Sequence, residues 1–212
     1  AAARNAAANF TPELFHQDSS ASPFNVDVVV GRDLEASAAA GFFVSRDGWL
    51  ITSANALSLD RQTQELEPGY VIKIVTEAGI FSVTDSIHLN KDESIAAVKV
   101  AGDFHPLPLS DSDEITEEAA MFAVSLDSPS GGNFVPQILK GTVNHAGKGR
   151  RNEPIFTVNT TEIANSLSNF MLFNPLGQAT GFAFSPEHPG ATELTAVKIN
   201  VIKNFLTNNI TN

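Results

Sequence analysis

From Val26 onward the chain is a succession of short apolar runs at roughly ten-residue spacing, with Gly, Pro, Asn and Asp between them. "VDVVVG", "GFFVS", "WLITS", "YVIKIVT", "GIFSVTD" and "IAAVKV" fill the first half; "AAMFAVS", "PIFTV", "FMLFN", "ATGFAF" and "LTAVKI" fill the second. Runs this short match strands rather than helices, and many of them in series limit the fold to the barrel and sandwich classes. The aromatic set is fifteen Phe against one Trp and one Tyr, which suits closed, dry interiors. Helical signals occur only at the ends. Thr11-Pro12-Glu13 reads as a helix start, with Leu14 and Phe15 as its apolar face. Asn200 reads as the cap of a last helix over 201–208, whose apolar stripe is Val201, Ile202, Phe205 and Leu206. The expected organisation is an arm over 1–25 with a short helix, then one all-β domain over 26–212, with an internal break near 103–130.

Charge and composition remove several classes. The chain carries 13 basic and 24 acidic residues, a net charge of −11, which argues against nucleic acid and anionic membrane as partners. No apolar run approaches the roughly 20 residues of a transmembrane helix. With no cysteine there is no disulfide or thiolate chemistry, which fits a reducing compartment or an exported protein that avoids stray disulfides. The opening AAARNAAANF lacks the basic-then-apolar layout of a signal peptide. It reads as the remnant of a removed export segment, a fusion scar or an alanine-rich arm. The first of these sets the expected location as extracytoplasmic, in a periplasm or organelle lumen.

The most informative stretch is GFFVSRDGWLITSANAL, Gly41 to Leu57. Asp47-Gly48 between two apolar runs is a strong hairpin signal. The hairpin leads straight into Ser53-Ala54-Asn55-Ala56, so it presents an amide. This stretch resembles the glycine-bounded hairpin of trypsin-like serine proteases, and within them the HtrA/Deg branch, over Gly41–Thr52 without a gap. Further fragments resemble the same family in the same order: Ser94–Val100, Leu107–Asp113, Phe122–Gly131, Gly141-Thr142-Val143, Gly149-Arg150 and Leu172–Gly181. The resemblance spans about Val26 to Leu206. It implies two six-stranded antiparallel β-barrels with short N-terminal and C-terminal helices, and a cleft between the halves. Relatives of this branch carry a PDZ domain after the protease fold; this chain stops at Asn212, so none is expected.

The resemblance also assigns the catalytic positions. Such enzymes use a histidine base, an aspartate that orients it and a serine nucleophile framed by glycines whose N–H groups bind the oxyanion. The histidine position falls on Asn55, a neutral amide without a basic site. The aspartate position falls on Ser94. Glu93 would point to the wrong face of a strand, and Asp92 would sit further from the cleft. The nucleophile position keeps its hydroxyl as Ser168, but the oxyanion loop around it has become Ser166, Leu167, Asn169 and Phe170. Glycine serves such loops through positive φ and close backbone approach, so Asn169 and Phe170 are expected to crowd the site. Ser168 then reads as a surviving surface serine.

The other candidates read more simply. His16, His88, His105, His145 and His188 show no metal-ligand spacing and read as loop histidines. Asp111-Ser112-Asp113-Glu114 with Glu117-Glu118 lacks the glycine and closing glutamate of an EF-hand loop and reads as a solvated loop. No metal and no cofactor is expected. The expected function is a catalytically inactive pseudoprotease, a structural or protein-interaction subunit of a multi-subunit complex or homo-oligomer. Three alternatives stand beside it: a peptide-binding module that takes an added strand along Gly181, Phe182, Ala183 and Phe184, with Phe170 and Met171 filling the old specificity pocket; a residual serine hydrolase using Ser168; and a metal-binding degenerate domain.

Overall fold

Strand by strand, burial alternates as a sheet with one packed face requires. Along β5 (Val71–Thr76), Ile72 and Ile74 are buried while Val71 and Lys73 are exposed. The computed structural model describes residues 26–32, 35–57, 59, 66, 68–76, 79–90, 92, 94–127, 135–149, 154–161, 169–184 and 192–210. The chain is mostly β, and it divides after Leu107 into two compact units, one ending there and one that begins its β-structure beyond Pro108. The helix expected at Thr11 and the rest of the arm over 1–25 lie outside the described residues.

The first unit holds β1 (Val26–Arg32), β2 (Glu35–Ala40), β3 (Phe42–Phe43), β4 (Trp49–Ser53), β5, β6 (Gly79–Asn90) and β7 (Ile95–Val100). They form an antiparallel sheet in the order β2-β1-β5-β6-β7-β4-β3. The strands at its two edges, β2 and β3, are consecutive in the chain and separated by Gly41 alone. Two edges of a flat seven-stranded sheet would lie about 29 Å apart, whereas two Cα steps span about 7 Å. The sheet must therefore curl until its edges meet. Gly41 marks the join: a Cβ there would lie 2.7 Å from Leu50 Cδ2 and 2.8 Å from Val28 Cγ2. The Thr52 hydroxyl donates to the Ala40 carbonyl across it at 3.0 Å. The expected six-stranded barrel appears here as a curled seven-stranded sheet, because one bent strand is split in two at Gly41. Inside, Val28, Leu50, Ile74 and Val98 are fully buried, and the Phe43 and Phe104 rings stack at 3.9 Å.

The hairpin forms between β3 and β4, with Phe42 opposite Ile51 and Phe43 opposite Leu50. Gly48 N–H donates to the Ser45 carbonyl at 3.3 Å, and Trp49 N–H donates to Ser45 Oγ at 2.9 Å. Gly48 has φ +96°, and its carbonyl accepts from Val100 N–H at 2.9 Å. Asp47 is ion-paired with Lys99, whose ammonium also lies 5.1 Å from the Trp49 ring centroid. The hydrogen bond from Lys99, aided by one from Ser45, holds the Asp47 carboxyl below its ordinary value. Because the folded value is the lower one, the contribution to stability is present above the ordinary carboxylate range and lost as pH falls through the depressed value. Urea denaturation of Asp47→Asn is expected to show a deficit below about 1 kcal/mol at neutral pH, since the carboxylate is exposed. That deficit vanishes in acid.

The second unit holds β8 (Ala120–Asp127), β9 (Val135–Lys148), β10 (Pro154–Thr160), β11 (Phe170–Phe173), β12 (Ala179–Ala183) and β13 (Glu193–Lys198). These close into a six-stranded antiparallel barrel in the order β10-β13-β12-β11-β8-β9, with β9 pairing back onto β10. Met121, Ala123, Leu139, Phe156, Leu172 and Ala196 pack within it. Helix α1 (Ile199–Ile210) continues directly from β13 and buries Ile199, Ile202 and Phe205. Asn200 is not its cap. The helix begins one residue earlier, and the Asn200 N–H donates to Ser112 Oγ at 3.1 Å, 88 residues away. Among the described residues, three buried side-chain oxygens have no hydrogen-bond partner: Ser110 Oγ, Ser125 Oγ and Gln137 Oε1. An unmet oxygen of this kind costs about 1–3 kcal/mol.

Candidate functional site

At the end of β4 the chain turns through a single 3₁₀ turn, Ala54–Leu57. Leu57 is fully buried and anchors the turn, while Asn55 is exposed. The Ala54 N–H donates to the Ser94 carbonyl at 2.9 Å. Next to these residues, Ser53 at the end of β4 pairs with Ile95 at the start of β7. The structure thus brings the turn that carries Asn55 against Ser94. Two strands buried along nearly their whole length, β4 and β7, hold the two positions together.

Ser94 itself has φ +55°, in the left-handed region. That conformation costs an L-residue about 1–2 kcal/mol relative to its usual wells. Strain at such a position is a feature of functional loops; its only sequence signal was the polar run Asp92-Glu93-Ser94. Ser94→Gly relieves the clash at an entropic cost of about 0.5–1 kcal/mol. The expected net effect is a gain of about 0.5–1 kcal/mol, read as a higher urea midpoint at unchanged slope.

Chemically, the turn carries an exposed carboxamide, Asn55, and the residue whose carbonyl it meets, Ser94, carries a hydroxyl. Neither side chain takes up a proton near neutral pH. Three of the five histidines lie among the described residues. The His88 ring packs at 5.4 Å from the Trp49 ring, His105 is exposed, and His145 Nδ1 lies 3.5 Å from Glu117 Oε1. His16 and His188 lie outside the described residues.

Ser166, Leu167 and Ser168 also lie outside the described residues. The chain is described again from Asn169, which is buried, and Phe170, which is fully buried. Phe170 lies in a strand. It opens β11 opposite Ala183 and belongs to the same buried barrel-core cluster as Met121, Leu139 and Leu172. Strand alternation places 170 and 172 on the interior face, which is why a large apolar residue fits there. Met171 is fully buried as well.

The strand-addition reading of Gly181–Phe184 is narrowed in the same way. Gly181, Phe182 and Ala183 pair with Leu172, Met171 and Phe170 on one side and with Lys198, Val197 and Ala196 on the other. Both edges are occupied, so no added strand fits along these three residues; only Phe184 lies beyond the ladder. A Cβ at Gly181 would lie 2.9 Å from the Val197 carbonyl oxygen, so this glycine permits close strand packing.

The acidic segment turns out to be a clamp for the helix start. Asp111 Oδ1 accepts from Asn200 Nδ2 at 2.7 Å and from Asp113 N–H at 3.0 Å, and those bonds hold its carboxyl below the ordinary value, the Asn200 bond foremost. Asp113 Oδ2 accepts from the same Asn200 amide at 2.9 Å, and Lys198 Nζ lies 3.8 Å from its other oxygen. No three His, Asp or Glu side chains gather as a metal site among the described residues. Nor is any helix among them long and apolar enough to cross a membrane.

Compared with known families, residues 39–187 match the model described as a trypsin-like peptidase domain, a span that includes the Asn55, Ser94 and Ser168 positions. No curated protein matches the chain.

Proposed function

The chain belongs to the trypsin-like peptidase domain family, and from that premise we propose that it is a pseudoprotease of the HtrA/Deg branch. Its role is that of a structural or protein-interaction subunit in a larger extracytoplasmic assembly. The observation that carries this reading is Asn55, an exposed amide on the turn after β4, bonded through its neighbour Ala54 to Ser94. Serine nucleophiles are weak until a base removes the hydroxyl proton. With an amide and a hydroxyl in place of the base and its orienter, the domain keeps its framework and has no standard means of moving that proton.

Of the alternatives, strand addition is left with Phe184, since the three residues before it have both edges paired. A residual hydrolase would need a base other than Asn55 beside Ser168. Metal binding finds no ligand cluster among the described residues. Mass spectrometry of the native particle from which the protein is isolated tests the subunit role. The expected result is a stoichiometric complex, hetero- or homo-oligomeric. A chain that runs throughout as a free monomer would remove the scaffold reading.

A further inference from the structure

We infer that Asn159 is the attachment point of an asparagine-linked oligosaccharide, added in a lumen outside the cytoplasm; this rests on the extracytoplasmic part of the reading above. Three stretches have the acceptor pattern of asparagine, any residue but proline, then threonine: Asn9-Phe10-Thr11, Asn159-Thr160-Thr161 and Asn209-Ile210-Thr211. So short a pattern arises by chance, and tertiary placement has to choose among the three. Asn9 and Thr211 lie outside the described residues. The Asn209 amide is already engaged, because its Nδ2 donates to the Phe205 carbonyl at 2.8 Å within α1.

Asn159 stands differently. It lies one residue before the end of β10, where alternation puts Val158 and Thr160 on one face and Asn159 and Thr161 on the other. Val158 and Thr160 are buried, whereas Asn159 and Thr161 are exposed. The backbone beneath them is held on both sides. Asn159 pairs with Thr142 on β9 and with Glu193 on β13. The Thr161 N–H and hydroxyl both donate to the Lys140 carbonyl, at 2.8 and 3.1 Å. Among the described residues no side-chain hydrogen bond engages the Asn159 carboxamide. Its neighbours on the outer face are Thr142, Glu193 and Thr195, all exposed, with Thr157 half-buried. None of them is apolar, so a hydrated sugar standing here covers no apolar surface. The cores of subunit contacts are more apolar than this and poorer in charge. The sugar therefore marks the β9–β10–β13 face as a solvent side of the assembly.

The donor class is an oligosaccharide carried on a polyprenyl diphosphate. A C–N bond forms between Asn159 Nδ2 and the anomeric carbon of the first sugar. The bond from that carbon to the diphosphate oxygen breaks, and its electron pair leaves with the polyprenyl diphosphate. The amide gives up one proton, and nothing is oxidised or reduced. Transfer precedes closure of the barrel, since pairing on both sides of β10 then denies a transferase the segment. The finished fold only has to leave the sugar in solvent, as an exposed side chain does.

The test uses the full 212-residue chain from its native source, with and without peptide N-glycosidase, which removes such sugars and leaves aspartate. The untreated chain is expected to be heavier than its sequence by an oligosaccharide, and treatment to leave an aspartate at position 159. Asn159→Gln and Thr161→Ala, made in the same host, are expected to lose that sugar completely. Thr161→Ser is expected to keep it, which separates loss of the acceptor hydroxyl from misfolding. A native chain bare at Asn159 would overturn the inference, whether or not Asn9 or Asn209 carries sugar. Protection inside sealed membrane vesicles reads the location separately. A protected chain bare at Asn159 loses the sugar and keeps the location, while a bare chain in the cytosol loses both. A modified chain that runs as a free monomer keeps the sugar and loses the subunit role.

Discussion

Incubated with excess fluorophosphonate, the purified protein is expected to remain unlabelled at Ser168, and its peptidase rate to lie at least about 10⁴-fold below that of an intact triad. The magnitude follows from the groups present. Fluorophosphonates report a serine whose hydroxyl proton can leave, and on the proposed reading the base position, on the turn after β4, is held by Asn55. Ser94, tied to that turn through Ala54, has no charge with which to stabilise an imidazolium. Restoring both groups together, as Asn55→His with Ser94→Asp, is expected to leave the rate at least about 10²-fold short of an intact enzyme. On the proposed assignment the segment around Ser168 carries Ser166, Leu167 and Asn169 where the family has an oxyanion-binding glycine frame, and losing one such donor costs about 10²–10³ in rate. Stoichiometric labelling of the unmodified protein at Ser168 would show that another base serves it, and the pseudoprotease reading would fall.

Gly48→Ala is expected to destabilise its unit by about 3 kcal/mol or more. The residue sits at φ +96°, where an L side chain costs about 1–2 kcal/mol. The added Cβ would also lie 1.9 Å from the Val100 carbonyl oxygen, a main-chain atom that cannot rotate aside. Relieving that overlap means parting the turn from the end of β7 and giving up the bond from Val100 N–H to the Gly48 carbonyl. At about 2–4 °C per kcal/mol, the loss appears as a fall in Tm of roughly 6–12 °C. Gly177→Ala is the control. It too has positive φ, at +75°, but nothing lies within 4 Å of its Cβ position, so it bears only the conformational cost, about 1–2 kcal/mol. Equal effects at the two positions would show that the contact with Val100 contributes nothing.

The reach of the sequence differs from residue to residue. The Asp47-Gly48 hairpin, the strand runs and a C-terminal helix with Ile202 and Phe205 buried could all be read directly, because each depends on residues a few places apart. Asn200 carried a capping signal of the same local kind, but the contact that won comes from Ser112, 88 positions earlier. Phe170 looked like an obstruction in a loop, and β11 made it part of a core with Met121 and Leu139. Gly181 looked like an open edge until β11 and β13 took both of its sides.

Gly41 marks the same boundary. Read alone it opens a hairpin; in the fold it is the corner at which one strand leaves one sheet edge and joins the other. Alternation and turn chemistry are written into neighbouring residues and survive in any fold that uses them, so strands, hairpin and the amide at position 55 were legible from the chain. Which strand lies beside which, where a sheet closes, and which buried oxygens find no partner arise from contacts between residues far apart in sequence, and no local pattern encodes them.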